Sequence, residues 1–488
     1  MTEQSVVVAG GGPTGMMLAG ELKLAGIDVV VVERRHRDEL GGTRAGGLHA
    51  RTLEVLDQRG IVERFVSAGR PYPAVGYAYI PLDISDFPTR HNYLLALWQS
   101  DFEPILAGWV EELGVPVLRG REVQGFAPNG MGVDVQLSDG AVMRAEYLVG
   151  CDGGRSTVRR AAGIDFPGSD PSASFMIAEV EMTKEPEIGV RPEGGGIGPI
   201  DRERGGGPYG VVLKEPYVEH AGGPTLADLR AALVAAYGTD FGAHSPTRIS
   251  RFTDMARQAE SYRTGRVMLA GDAAHVHSPH GGQGLNTGLQ DAVNLGWKLA
   301  QVVKRRSPES LLDTYHAERH PVGARVLRNT MAQVALTLGD DRHRALHDSV
   351  AELLRLDEPR HYVAGMLSGL DIRYELGGRH ALVGRRMPDL DVSTADGPTR
   401  VFALMHEARP VLLNLGARDE IDLSPWEGSV KLVDASYGGD WELPVIGKVA
   451  APPAVLIRPD GHVAWTGQLD DPELLTALTV WFGAPLAA

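Results

Sequence analysis

The chain has 488 residues, 43% hydrophobic and 23% charged, the composition of a globular protein with material for about two to four domains. Its 48 basic and 63 acidic residues leave a net charge of −15, which argues against general binding to nucleic acid or to an anionic membrane surface but leaves room for a local basic pocket. A single cysteine, Cys151, excludes intramolecular disulfides and Cys-x-x-Cys sites, and with no basic leader and no bilayer-length apolar run the expected location is cytoplasmic.

The first element sets the theme. Residues 6–9 (VVVA) form a short buried strand, and Gly10, Gly12 and Gly15 follow with G-x-G-x-x-G spacing. Pro13 and Thr14 open a helix that runs to about residue 25, with Gly26 placed to stop it. A second apolar run, 29–32, ends on Glu33. In such a unit Gly10 permits the tight turn, Gly12 lets a pyrophosphate reach the backbone, and Gly15 lets helix and strand pack closely. The free N–H groups at the helix start meet phosphate charge, and the terminal acid accepts hydrogen bonds from a ribose. This is the pattern of a dinucleotide site.

Next comes a polar, arginine-rich stretch, 34–47, whose Arg34, Arg35, Arg37 and Arg44 make either a solvated loop or, just after the ribose-binding acid, contacts to adenine or phosphate. A helix is expected over 50–58, strands leaving the first domain over 72–99, and a helix over 102–113. Short strands follow at 115–118, 122–127, 133–137 and 141–149, with Asp139-Gly140 as a hairpin turn. The last strand runs into Cys151-Asp152-Gly153-Gly154-Arg155-Ser156, where an acid at a strand end, two glycines and a helix-capping serine make either a polar-ligand site or a plain turn. Cys151 reads as a small buried residue, with no base near it in sequence. Alternation over 178–182 marks an antiparallel strand, and from there to 254 strands and Gly/Pro turns with one helix, 225–237, indicate an inserted β domain.

The strand 266–270 feeds Gly271-Asp272-Ala273-Ala274-His275 and the loop His277-Ser278-Pro279-His280-Gly281-Gly282-Gln283-Gly284. A long helix is expected from Leu285 to about 304, with Lys298, Lys304, Arg305 and Arg306 in its C-terminal half, complementing the helix dipole. Its glycine-rich start leaves N–H groups uncovered, a place for developing negative charge. The three histidines lack a fourth ligand at helical spacing, so no metal is expected. A further helical region covers 311–338. The run PDLDVSTADGPTR, past residue 385, reads as a linker to a small α/β domain with strands at 411–415, 454–457 and 463–466 and a helix over 472–482.

With these residues in place, the chain resembles the class A flavoprotein aromatic monooxygenases, in the branch acting on polyketide aromatics and rifamycin-type drugs. Three separated motifs carry the resemblance along nearly the whole length: GGGPTG with Glu33, D-G-x-x-S-x-x-R at 152–159, and GDAAH…P-x-GGQG-x-N at 271–286. The segment 43–51 (TRAGGLHAR) and Gln99 also fit. The resemblance implies an α/β protein of para-hydroxybenzoate hydroxylase-like fold. A Rossmann-like FAD-binding domain (1–71, 100–174 and 255–385) would carry a mostly antiparallel β substrate domain (72–99 and 175–254) and a C-terminal thioredoxin-like domain (386–488) lacking Cys-x-x-Cys. It further implies that the first motif and Glu33, with Arg34, hold the ADP half of FAD, that Arg44 and Gln99 lie along the cofactor, and that Asp152 and Arg159 serve flavin and NAD(P)H, NADPH being favoured. Asp272 would hold the ribityl-phosphate, and Pro279, Gly281, Gly282, Gly284, Leu285 and Asn286 would lie against the flavin ring. His280 stands where the family has a small or neutral residue, a departure that either alters flavin contacts or touches substrate, and it is the candidate substrate residue.

The activity implied is hydroxylation of a polycyclic aromatic by NAD(P)H and O₂ through a flavin C4a-hydroperoxide, with no side-chain base identified and the protein a monomer or homodimer. Rival readings are inactivation of a rifamycin-type antibiotic, a Baeyer–Villiger-type oxygenase or a reductase on the same platform, and a drug-sequestering binding protein without FAD.

Overall fold

The computed structural model describes residues 2–36, 45–191, 195–200, 207–218, 222–337, 340–416, 421–426 and 428–484. The strand Thr2–Ala9 lies in the middle of a parallel array, with Val29–Glu33 on one side and Val142–Gly150 on the other. Val117–Arg119 extends the array beyond Val29–Glu33, and Val267–Leu269 beyond Val142–Gly150. Residues Val6–Val8 and Val29–Val32 are wholly buried, as expected of parallel strands covered on both faces. The antiparallel pair Val123–Pro128 and Val133–Leu137 joins the N-terminal half of Val142–Gly150.

The helix Pro13–Leu24 packs on this sheet and lies beside a second long helix, Gln283–Val303. Their approach is close. A Cβ on Gly288 would stand 2.4 Å from Thr14 Oγ1, and one on Gly296 would stand 2.6 Å from Glu21 Cβ. The pairings Gly288 with Thr14 and Gly296 with Glu21 advance together along both chains, so the helices run parallel and start at the same end of the molecule. The second helix begins at Gln283, two residues before the expected Leu285, because Gly282 at φ +63° serves as its N-cap. Of the four cations expected toward its C-terminal half, Lys298 is fully buried and bonds Glu318.

The inserted β domain is a five-stranded antiparallel sheet in the order Gly189–Val190, Gly195–Pro199, Tyr209–Lys214, Ser174–Glu181, His244–Thr253. Met176, Ala178 and Val180 alternate onto the face covered by Leu229 and Leu233 of the helix Leu226–Tyr237. That helix has a Thr225/Asp228 capping box and stops at Gly238, φ +74°. The strands of 72–99, expected with this domain, do not join its sheet. Ala74–Tyr77 pairs with Ile80–Asp83, and Arg70–Tyr72 with Leu94–Ala96. Val75, Ile80, Leu82 and Phe87 are buried against Ala364 and Leu367 of the helix Asp357–Ser368 instead.

The run expected to be a linker is a hairpin, Asp391–Thr394 with Gly397–Arg400, at the edge of a six-stranded C-terminal sheet. Its polar residues occupy exposed edge positions, which is why they read as linker. The helix Pro472–Phe482, capped by Asp471, sets Trp481 and Phe482 against Trp297 at ring distances of 6.3 and 6.1 Å. Beneath them is a buried ionic group. Arg458 grips both oxygens of Glu318 (2.8 and 2.7 Å) and also bonds Asp460, while Lys298 Nζ lies 2.9 Å from Glu318. Burial, only partly offset by Glu318, pushes the Lys298 amine down to about 8. No described helix is long and apolar enough to cross a membrane.

Candidate functional site

The first glycine turn is built as its spacing requires. Gly10 has φ +106°, and a Cβ there would lie 2.3 Å from the Cys151 carbonyl oxygen. A Cβ on Gly15 would lie 2.0 Å from the Gly10 carbonyl oxygen, whereas the space beside Gly12 is open to 4 Å. Pro13 occupies the first helical turn, no side chain caps the helix, and no acid stands in that turn. A row of N–H groups therefore faces an open space beside Gly12.

Glu33 closes the adjacent strand with its carboxylate turned to this turn. Oε2 accepts the Gly11 N–H (2.6 Å), and Oε1 accepts Arg35 N–H (2.8 Å) and Nε (3.0 Å). Burial alone would raise this carboxyl; the Arg35 amide and guanidinium and the Gly11 amide outweigh it and hold the group below its ordinary range. Arg35 continues to Glu103 Oε2 (2.8 Å), and Glu103 Oε1 accepts from Gln99 Nε2 (2.6 Å). Gln99 is thus tied to the Glu33 end through Arg35, one of the four arginines of this stretch, whereas the resemblance assigned Arg34 to the cofactor. Arg34 lies on the other side of the chain, 73% exposed, with its guanidinium 3.9 Å from Glu122. The alternation of an extended strand could have separated the two. Arg44 lies outside the described residues.

The second motif ties loops together. Asp152 Oδ1 accepts from Ser156 Oγ (2.5 Å), and Oδ2 accepts the N–H groups of Thr157 (2.7 Å) and Val158 (3.1 Å), so the carboxylate caps the short helix Thr157–Ala161. Arg159 donates to the carbonyls of Ala273 (2.8 Å) and Gly154 (2.9 Å) and lies 3.7 Å over the Phe166 ring. Through Ala273 it fastens this loop to the Gly271–Ala273 turn. Burial, with Asp152 and Asp291 nearby, pushes the Cys151 thiol up, consistent with an unreactive packing residue.

At the third motif Gly271 has φ +62°, Asp272 is exposed, and Thr14 is wedged between Gly271 and Gly288. The turn hangs on Asp291, a residue not singled out in the sequence. Its carboxylate accepts Gly271 N–H (3.1 Å) and faces His275 Nε2 (2.7 Å), while its other oxygen accepts Arg319 Nε (2.7 Å). Arg319 continues to the Tyr374 hydroxyl (3.1 Å) and the Thr287 carbonyl (3.2 Å). The histidines of this loop take separate partners: His277 Nδ1 meets the Ser278 carbonyl (2.7 Å) and His280 Nδ1 meets Ser278 Oγ (2.6 Å).

Pro279 then leads into His280–Gly282, where Gly281 (φ +74°) and Gly282 (φ +63°) turn the chain into the long helix, again with no side-chain cap. Asn286 pins the turn from within, donating to the Gly282 carbonyl (2.8 Å) and accepting the His49 N–H (2.8 Å). His49 Nε2 meets the Gly281 carbonyl (2.9 Å) and so carries the proton. Its Nδ1 is a buried acceptor with no partner among the described residues, and burial holds the imidazole down to about 4. Leu285 is half-buried against the main core, and Gly284 approaches the His277 ring.

Two helix starts without caps, both at one end of parallel helices and joined through Thr14, make a cradle open at Gly12 and Gly282. The buried acid Glu33 stands at one end and an unpartnered imidazole nitrogen at the other. These residues fit a dinucleotide with a ring system at its far end.

Comparison with known proteins gives the same reading. Residues 3–330 match the family described as FAD binding domain, and residues 380–485 match aromatic-ring hydroxylase, C-terminal. The chain is 44% identical to a rifampicin monooxygenase of Streptomyces venezuelae, covering 99% of each chain. It is 42% identical to a 12-dehydrotetracycline 5-monooxygenase/anhydrotetracycline 6-monooxygenase of Streptomyces rimosus, covering 98% of this chain and 99% of that one. The solved structure of an anhydrotetracycline hydroxylase from Streptomyces rimosus superposes with a TM-score of 0.90 at 41% identity, over 99% of this chain and all of that one. The cofactor is accordingly FAD, with NAD(P)H the hydride source typical of the family, and the chain belongs to the FAD-dependent aromatic-ring monooxygenases.

Proposed function

We propose that this enzyme places one oxygen atom of O₂ on a phenolic ring of a fused polycyclic aromatic, the chemical class of an anhydrotetracycline. The observation that carries this is the aromatic wall beside the Gly281–Gly282 turn. Phe252, half-buried, stacks at 5.1 Å and 11° on Phe175, its direct cross-strand partner, which is buried behind it on the sheet face opposite the helix and stands 6.3 Å from the His280 ring. Flat aromatic surface suits a flat fused-ring ligand.

FAD, when bound, supplies the activation of O₂ and the transfer of one oxygen. The chain's own residues bind, orient and exclude water. In this reading Gly12, Thr14, Gly15 and Glu33 hold the ADP half and Asp272 the ribityl-phosphate. Pro279, Gly282, Gly284, Leu285 and Asn286 line the ring, and Asp152 and Arg159 shape the approach of NAD(P)H, with Arg44 completing the cofactor's flank. The uncapped N–H groups after Gly282 face the place where negative charge develops on the ring, and the helix dipole adds to them. His280 touches substrate as a neutral imidazole, since burial holds it below its ordinary value against the pull of Asp254. Neither it nor any other side chain is assigned as a base; a phenol is electron-rich enough to react unaided.

The test is NAD(P)H oxidation by the holoenzyme across a panel of polycyclic phenols, anhydrotetracycline among them, and rifampicin. Isotopically labelled O₂ and a count of H₂O₂ complete it. Stimulated turnover with label in a hydroxylated phenol supports the proposal. Stimulation by rifampicin alone, which the 44% identity to a rifampicin monooxygenase makes the second reading, or product without label, defeats it.

A further inference from the structure

The hairpin Ala74–Tyr77/Ile80–Asp83 turns on two residues, Ala78 and Tyr79, both left-handed at φ 49° and 68°. Two-residue hairpin turns of this hand are normally made with Asn or Gly, because a β-carbon disfavours the conformation. Here the turn is fastened from outside. Ala78 N–H donates to Gln333 Oε1 (3.0 Å), and the Ala78 carbonyl meets His347 Nε2 (3.0 Å). Gln333 is wholly buried, and a Cβ on Gly281 would stand 2.9 Å from its Nε2, so one side chain touches both the strained turn and the turn that leads into the long helix.

The strain aims an aromatic ring. Tyr79 is 49% exposed and lies 6.0 Å from the His280 ring at 67°. The Gly195 amide of the β domain donates to its hydroxyl. His280 thereby stands between two aromatic side chains, Tyr79 from the hairpin and Phe175 from the β domain. A half-exposed tyrosine held in an unfavourable backbone conformation by two buried or half-buried polar side chains does not serve the local fold, which a glycine would serve better.

We infer that Tyr79 is a specificity-determining residue, its half-exposed ring, packed edge-on against His280, presenting the aromatic surface on which the flat rings of the substrate rest. Gln333 and His347 are positioning residues that act through the turn. The inference rests on the proposed polycyclic phenol class.

Tyr79→Gly separates a binding role from a structural one, because it removes the ring and relieves the turn together. With holoenzyme and the same panel, anhydrotetracycline included, the variant is expected to melt no lower than the wild type while its KM rises about tenfold, as follows from taking one aromatic ring out of a binding wall. Tyr79→Phe, which keeps the ring, should stay within about threefold, and His347→Ala, which only loosens the turn, should raise KM by about threefold. An unchanged KM in Tyr79→Gly, with the wild type responding to the panel, overturns the Tyr79 assignment alone, as does a variant that melts lower and loses turnover without a shift in KM. A wild type that no polycyclic phenol stimulates overturns the substrate class and the assignment with it.

Discussion

Asp291→Asn tests the claim that a buried carboxylate holds the Gly271–Ala273 turn, part of the proposed FAD seat, in place. In the native protein one oxygen faces Gly271 N–H and His275, and the other faces Arg319. An amide keeps one acceptor oxygen, and its NH₂ must point at donors whichever way it is turned. If it faces Arg319, a fully buried guanidinium is left with only a tyrosine hydroxyl and a carbonyl; removing one partner of such a pair costs about 3–5 kcal/mol. If it faces Gly271, the turn carrying Asp272 loses a charge-assisted hydrogen bond worth about 1.5–3 kcal/mol. Where that loss falls on the turn, it weakens FAD binding by about 10- to 100-fold. The assay is titration of apo-protein with FAD, beside thermal melts of both forms. A variant whose FAD affinity stays within about threefold of the wild type, with an unchanged melt, would refute the reasoning, since no placement of the amide leaves both energies at zero.

Gly15→Ala would put a methyl 2.0 Å from a backbone oxygen, so the protein should purify without colour; an FAD-replete preparation would contradict the close-packing argument. Gly282→Val introduces a side chain at φ +63° on the ring side of the turn; weakened flavin binding or slowed reduction by NADPH is expected, and stopped-flow absorbance would detect its absence. Burial holds His49, His277 and His462 each to about 4. The unfolded chain takes up these protons near pH 6.5 and the folded chain does not, so stability falls as pH drops from about 6.5 to 4. Melting temperature against pH checks this, and a flat profile across that window would count against it. Arg458→Met takes from buried Glu318 and Asp460 the guanidinium that both share, leaving Glu318 the Lys298 amine and both carboxylates the Asn294 amide, a loss of about 3–5 kcal/mol that calorimetry should register; an unaltered melt would argue that the group is neutral to stability.

The nucleotide half of the site was readable because backbone geometry dictates it. Gly10 and Gly15 have no substitute at their φ and their contacts, and a strand, a turn and a helix follow in local order. The partners that tension the site were not readable, because each lies far away along the chain. Asp291 and Lys298 sit on a helix that looks like any other with a polar face, and only the approach of Arg319 in one case and of Glu318 and Arg458 in the other reveals that they are buried. Asp152 carried a functional motif and proved also to be a helix cap, a double use that sequence spacing does not separate. The hairpin at 391–400 was hidden by its composition: an edge strand with exposed polar residues and a glycine turn is locally the same text as a linker. Tyr79 was invisible for the opposite reason, since nothing in Ala-Tyr signals a left-handed turn that distant side chains impose.

Helix Gln283–Val303 begins at the Gly281–Gly282 turn, the proposed neighbour of the flavin ring, and, roughly 21 Å further on by its rise per residue, carries Trp297 and Lys298 into the junction with the C-terminal domain. A stiff rod clamped at its far half cannot slide or tilt at its near end without prising apart aromatic and ionic contacts there. The C-terminal domain, which has no cysteine, thus braces the helix whose start lies at the Gly281–Gly282 turn. Trimming it to make a smaller catalyst would be felt first as a change in flavin colour.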